Sequence, residues 1–210
     1  SILRNKMNRH LKMKAFKLNA TIKGVLAVSE RDEISALTSL VPTKDQTEFL
    51  LSNQQMVAWY MHKNQPESKA YLAEAATHFK GEFSIQALST SINQIIKRHD
   101  IYRSVFVEKD DLVIQKVLPH FELDLKRINA EHIPIDEKEA FLEQAFKTEL
   151  PHILDLGTLP LAEFILVTFS QTHHVLLHQE HHIIHDGWSA KEFTGELIAR
   201  YHAVIDPDYV

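Results

Sequence analysis

Two adjacent histidines, His181 and His182, stand three residues ahead of Asp186 and Gly187 in the run HHIIHDGWS, residues 181–189. An imidazole titrates near neutrality, so it can take or give a proton at cellular pH. A buried carboxylate just beyond the pair can accept a basic partner and lock the turn. Gly187 can adopt backbone angles that other residues avoid and bring its N–H close to a ligand. Trp188 and Ser189 follow where a helix should begin, with Trp188 expected to pack against that helix and Ser189 to cap it. The set has the layout of a proton-handling centre at the end of a strand.

The elements around this run must place it. Leu161–Phe169 and Val175–His182 are apolar runs joined by SQTHH and read as an antiparallel pair. Alternation along the second strand puts His174, His178, Glu180 and His182 on one face, and His173 and His181 on the other. One imidazole of the pair therefore faces the open side of the sheet and one the packed side. Ser189–His202 reads as the closing helix. Upstream, Leu51–Lys63 has helical spacing through Met56, Trp59 and Tyr60, and Leu72–Phe79 reads as a strand ending at Gly81. Ser84 caps a helix to His99 whose Ile85, Leu88, Ile92, Ile95 and Ile96 share one face. VFVEKDDLVIQKV predicts a hairpin turning at Asp110 and Asp111, His120–Ile128 a strand, and Asp136–Leu150 an amphipathic helix. Val41–Phe49 reads as irregular. Strands and helices mix without strict alternation, which favours an α+β fold with a mixed β-sheet flanked by helices.

Composition sets bounds. A chain of 210 residues can bury one real core, and a net charge of −5 does not favour nucleic-acid binding. There are no cysteines, which removes disulfides and thiol nucleophiles and agrees with a cytoplasmic setting. No apolar run has the length of a membrane span, and SILRNKMNRH does not have the form of a signal peptide. Residues 1–29 carry seven lysines and arginines and no acidic side chain. They read as a solvated linker or as a docking surface for an acidic partner. A metal site is the chemical rival, because six histidines lie between residues 173 and 185. His174, His178 and His182 share a face, but alternate positions along a strand are too far apart to close on one ion.

HHIIHDGWS resembles the H-H-x-x-x-D-G core motif of condensation domains of nonribosomal peptide synthetases, in the chloramphenicol-acetyltransferase-like superfamily. Arg98–Phe106, RHDIYRSVF, is similar to the family's R-H-x-x-L-R-T-x-F, with Tyr102 and Ser104 in place of Leu and Thr. LSNQQMVAWYM (51–61), followed by Pro66, Ser68 and Tyr71, resembles the first motif. LDLGTLPLAEF (154–164) resembles F-D-L-x-x-x-P-L-x-R, with Leu154 and Glu163 as replacements. Four motifs in order over residues 51–202 make the resemblance specific.

The resemblance implies a chloramphenicol-acetyltransferase-like lobe over residues 46–210, preceded by a basic linker or docking segment over 1–45. It implies amide formation between a carrier-bound acyl or peptidyl thioester and a carrier-bound amino acid. His182 would face the substrate channel and accept a proton from the amine or orient it, with His181 supporting it from behind. The Gly187 N–H is the candidate oxyanion donor. Asp186 would pair with an arginine, Arg103 first and Arg98 second, to hold the loop. No cofactor binds directly, since the substrates are tethered through phosphopantetheine on carrier proteins. The expected partners are upstream and downstream peptidyl carrier domains and a C-terminal lobe beyond Val210; without that lobe an apolar face would favour self-association. A non-catalytic carrier-docking or scaffold role remains open, as do the ester-forming and epimerising chemistries of the superfamily.

Overall fold

The computed structural model describes residues 46–151, 153–206 and 208; the basic segment 1–45 lies outside the described residues. Helix α1 (Asn53–Asn64) starts at a capping box: Ser52 Oγ accepts from the Gln55 N–H, and Gln55 Oε1 accepts from the Ser52 N–H. It buries Ala58 and Trp59. Strand β2 (Leu72–Lys80) follows, and then α2 (Ile85–Arg98), capped by Ser84 as its sequence predicts. The one-sided stripe of α2 buries Leu88, Ile92, Ile95 and Ile96.

Strands β3 (Ser104–Lys109) and β4 (Leu112–Val117) form the expected hairpin. Asp110 and Asp111 take φ of 51° and 62°, the left-handed pair that a two-residue turn demands. Two expectations fail nearby. Part of the segment read as irregular forms β1 (Glu48–Leu50), which pairs antiparallel with β4. The strand expected over His120–Ile128 shrinks to β5 (Lys126–Asn129). The Asn93 side chain takes the Leu123 N–H and carbonyl at 2.8 and 3.0 Å, so both backbone groups of Leu123 are satisfied without a neighbouring strand.

After α3 (Lys138–Thr148), β6 (Ala162–Ser170) and β7 (His173–His181) form the predicted antiparallel pair. The sheet order is β2-β7-β6-β5, with β5 parallel to β6 and the other pairs antiparallel. The fold is α+β with a mixed sheet, and the β1-β4-β3 hairpin layer is a second, separate sheet. Strands β6 and β7 are buried on both faces. Leu166 and Leu176 belong to the core shared with α1, α2 and α4 (Gly187–Ile205), whereas Val167, Val175 and Leu177 pack with Leu142 and Ala145 of α3. That double coverage explains their near-continuous apolar sequence.

The loop between β7 and α4 is held differently from expectation. Asp186 is exposed and is the N-cap of α4; its Oδ1 accepts from the N–H groups of Trp188 and Ser189 at 3.1 and 2.9 Å. Ser189 is the reciprocal partner, its Oγ accepting from the Asp186 N–H, so the helix begins at Gly187 and not at Ser189. The expected Asp186–arginine pair does not form. Arg103 donates to the Leu118 carbonyl at 2.6 Å and the Ile96 carbonyl at 3.3 Å, and pairs with Asp100. It clamps the end of α2 to the exit of β4. Arg98 pairs with Glu196 of α4 at 3.3 Å. The physical reason is local: a helix start supplies free N–H groups to the aspartate, while the arginines sit against unfilled carbonyls and Glu196.

Asp186→Ala should lower the melting temperature while Asp186→Asn, a good cap, stays near the wild type. Arg103→Ala should cost about 2 kcal/mol through the orphaned carbonyls. Because the two residues do not touch, their effects should add to within about 0.5 kcal/mol in chemical denaturation; a larger coupling would restore the pair.

Candidate active site

Backbone hydrogen bonds fix the end of β7. The His181 N–H donates to the Leu161 carbonyl at 3.0 Å, and the His182 N–H to the Tyr71 carbonyl at 2.8 Å. The chain then turns, with the Ile184 N–H donating to the His181 carbonyl at 3.0 Å. Ile183 and Ile184 are buried in the core, and the Asp186 cap closes the turn on the outside. The motif thus alternates between anchor and display: His181, Ile183 and Ile184 face in, and His182, Asp186 and Gly187 face out.

The two histidines occupy opposite environments, as strand alternation predicts. His181 is 1 % exposed. Its Nδ1 accepts from the Ile183 N–H at 3.1 Å, its ring stacks near Tyr71, and it meets the His62 ring edge-on at 5.2 Å. Burial, with His62 and His182 nearby, lowers its pKa to about 4, so it is a neutral ring at physiological pH. His182 is exposed at the strand end, with the Tyr71 ring 6.4 Å away and the His185 ring 5.6 Å away.

Gly187 occupies the first turn of α4, and a Cβ there would meet nothing within 4 Å. Neither a left-handed backbone nor a close neighbour requires glycine, contrary to the reason expected for it. Trp188 is 79 % exposed and does not pack on the helix as expected.

Beneath the loop lies a cluster whose weight the sequence did not reveal. Glu180, 1 % exposed, contacts His185 Nδ1 through one carboxylate oxygen and His178 Nε2 at 3.4 Å through the other. Burial pushes this carboxyl upward, but the two imidazoles more than reverse that, bringing it to about 2. In turn the Glu180 carboxylate raises His185 above the usual imidazole range. His178 is stacked on Phe164 at 4.3 Å and tilted against Phe193 at 5.1 Å. The Tyr102 hydroxyl is pushed well above its ordinary range by burial and by Glu180 and Glu196. The available signal was the alternation that puts His178 and Glu180 on one face; what it could not show is that the chain folds His185 back over them.

The three histidines that share a face, weighed above as a rival metal site and set aside on spacing, do not converge. His174 bonds Thr168 at 3.1 Å and stacks on Phe83, His178 lies against Phe164, and His182 is past the end of the strand. No group of three or more histidine or acidic residues among the described residues could hold a metal ion.

The model of the Condensation domain family matches residues 45–206. A linear gramicidin synthase from Brevibacillus parabrevis is 31 % identical over 179 residues, which cover 84 % of this chain and 2 % of that protein. A surfactin synthase from Bacillus subtilis (strain 168) is 26 % identical over 201 residues, covering 96 % of this chain and 5 % of the relative. Among solved structures, the first condensation domain of the calcium-dependent antibiotic synthetase superposes with a TM-score of 0.69 at 18 % identity, over 77 % of this chain and 39 % of that one. The starter condensation domain of rhizomide synthetase gives 0.68 at 19 % identity, over 77 % and 40 %. The chain therefore spans about two fifths of these solved structures. With its family model matched over most of its length and the H-H-x-x-x-D-G turn in place between β7 and α4, this chain belongs to the condensation domain family.

Proposed function

We propose that this chain is the N-terminal lobe of a condensation domain, in which His182 handles the amine as two carrier-tethered building blocks are joined. The supporting observation is the unequal pair: a buried, neutral His181 anchors the strand end and an exposed His182 is displayed beside it. The neutral amine of a carrier-bound amino acid attacks the carbonyl carbon of an acyl or peptidyl thioester. A C–N bond forms, the oxyanion collapses, the C–S bond breaks, and the proton lost by nitrogen ends on the released thiol. His182 accepts or orients that proton. The Gly187 N–H, at the positive end of α4, is the candidate donor to the oxyanion.

The substrates arrive on phosphopantetheine arms of upstream and downstream carrier proteins, so no cofactor need be bound by the lobe itself. A second, C-terminal lobe completes the channel and covers the exposed Trp188. Among the described residues no helix is long and apolar enough to cross a membrane, and the proposed setting is the cytoplasm.

In a protein carrying both lobes, assayed with loaded carriers, His182→Ala should lower the rate of amide formation by ~10²–10⁴. Wild-type rates in that variant would reject the assignment. The buried partner carries a different signature. The unfolded imidazole protonates near pH 6.5, whereas folded His181 does so only near 4. The unfolded state thus binds the extra proton between these values, and stability falls by about 2–3 kcal/mol as pH drops from about 6.5 to 4. Denaturation curves of His181→Asn should be flatter across that window; an unchanged slope would show that another group dominates.

A further inference from the structure

Glu180 has no packing reason to be where it is. It occupies an interior position of β7, opposite Ala73 of β2 on one side and Ala162 of β6 on the other. Burying a carboxylate costs several kcal/mol unless its charge is met, and an apolar side chain would suit this face of the sheet better. Two imidazoles contact it, and the Tyr102 hydroxyl feels its charge. His178 comes from the same strand and packs against Phe164 and Phe193, whose rings also touch each other. Tyr102 comes from the segment Asp100–Arg103. His185 alone comes from the loop that carries His182. The carboxylate is thus the interior end of a tether whose other end is the loop. Asp186, immediately beyond His185, ties the same loop on its outer side to α4.

Resting on the function proposed above, we propose that Glu180 and His185 are positioning residues for His182. The buried carboxylate fixes the His185 ring through Nδ1, and that ring, 5.6 Å from the His182 ring centroid to centroid, braces the displayed imidazole. Tyr71 flanks His182 as well, its ring set edge-on at 6.4 Å. His182 is therefore held by contacts to two rings, one of which is itself anchored by a charge inside the sheet. A histidine left exposed at a strand end would otherwise sample several rotamers, and misplacement by about 1 Å is enough to cost about 10²-fold in rate.

Two variants separate this role from simple stability. Glu180→Gln keeps the shape and removes the charge. His185→Asn keeps a donor near the Nδ1 position, so Glu180 stays partnered, but deletes the ring that abuts His182. In the two-lobed protein each should lower kcat by about 10–100-fold, with KM for the loaded carriers within about twofold. In parallel, the His182 ring resonances, assigned by their loss in His182→Ala, should shift in both variants. The proposal is overturned if kcat is unchanged in His185→Asn, or if activity falls only with the folded fraction while the His182 resonances stay in place. Should Glu180→Gln fail to fold, His185→Asn gives the decision alone. Full activity in His182→Ala would instead overturn the catalytic assignment, and the His182 resonances of the other variants would still report whether the brace exists.

Discussion

The end of β7 is the constraint on which the rest of this structure depends. A strand that simply frayed there would leave both imidazoles mobile. Instead its last backbone groups are claimed from both sides, by Leu161 ahead of β6 and by Tyr71 ahead of β2. With the backbone fixed, strand alternation does the sorting, sending one ring inward and the next outward. The buried isoleucines of the turn and the Asp186 cap then prevent the chain from unwinding before α4 begins.

This arrangement requires a rigid platform. Strands β6 and β7 are sandwiched between α2 and α4 on one face and α3 on the other, so a shift of β7 would disturb two cores together. Interiors packed at crystal-like density do not yield smoothly. The arginines of the second motif contribute at a distance from the loop. Arg103 ties the end of α2 to the exit of β4, and Arg98 joins His99 and Arg200 around Glu196, which couples α2 to α4. These residues set the position of the helix that Asp186 caps, and they do so without touching the aspartate.

The interior of the site is more polar than a structural turn requires. Glu180, His178 and His185 form a charged knot within an aromatic setting of Phe164, Phe193 and Tyr102. Removing one partner of such a knot leaves an uncompensated charge where water is scarce, so its members constrain one another. The outer surface has the opposite character, with His182, Gly187 and Trp188 all exposed. An imidazole, a helix N-terminus and an indole are thus displayed on one short stretch of surface.

Much of this was legible in residue order alone. Period-2 and period-3.6 patterns fixed the β6–β7 pair, α2, and the hairpin whose two aspartates accept left-handed angles. Four spaced motifs gave the family, and alternation along β7 told His181 from His182. Helix and turn signals act within a few residues, so sequence carries them whole. Partnerships between distant segments were decided only by the fold. Asp186 looked like half of an ion pair, yet the N–H groups two and three residues away were nearer than any guanidinium. Residues 120–125 looked like a strand, yet Asn93 met the backbone of Leu123 at their centre. Glu180 looked like one more polar residue on a strand until the turn brought His185 back over it. Short-range hydrogen bonding and burial pattern are written into the chain locally. Which charge meets which depends on where tertiary packing leaves an unsatisfied group, and that no linear spacing specifies.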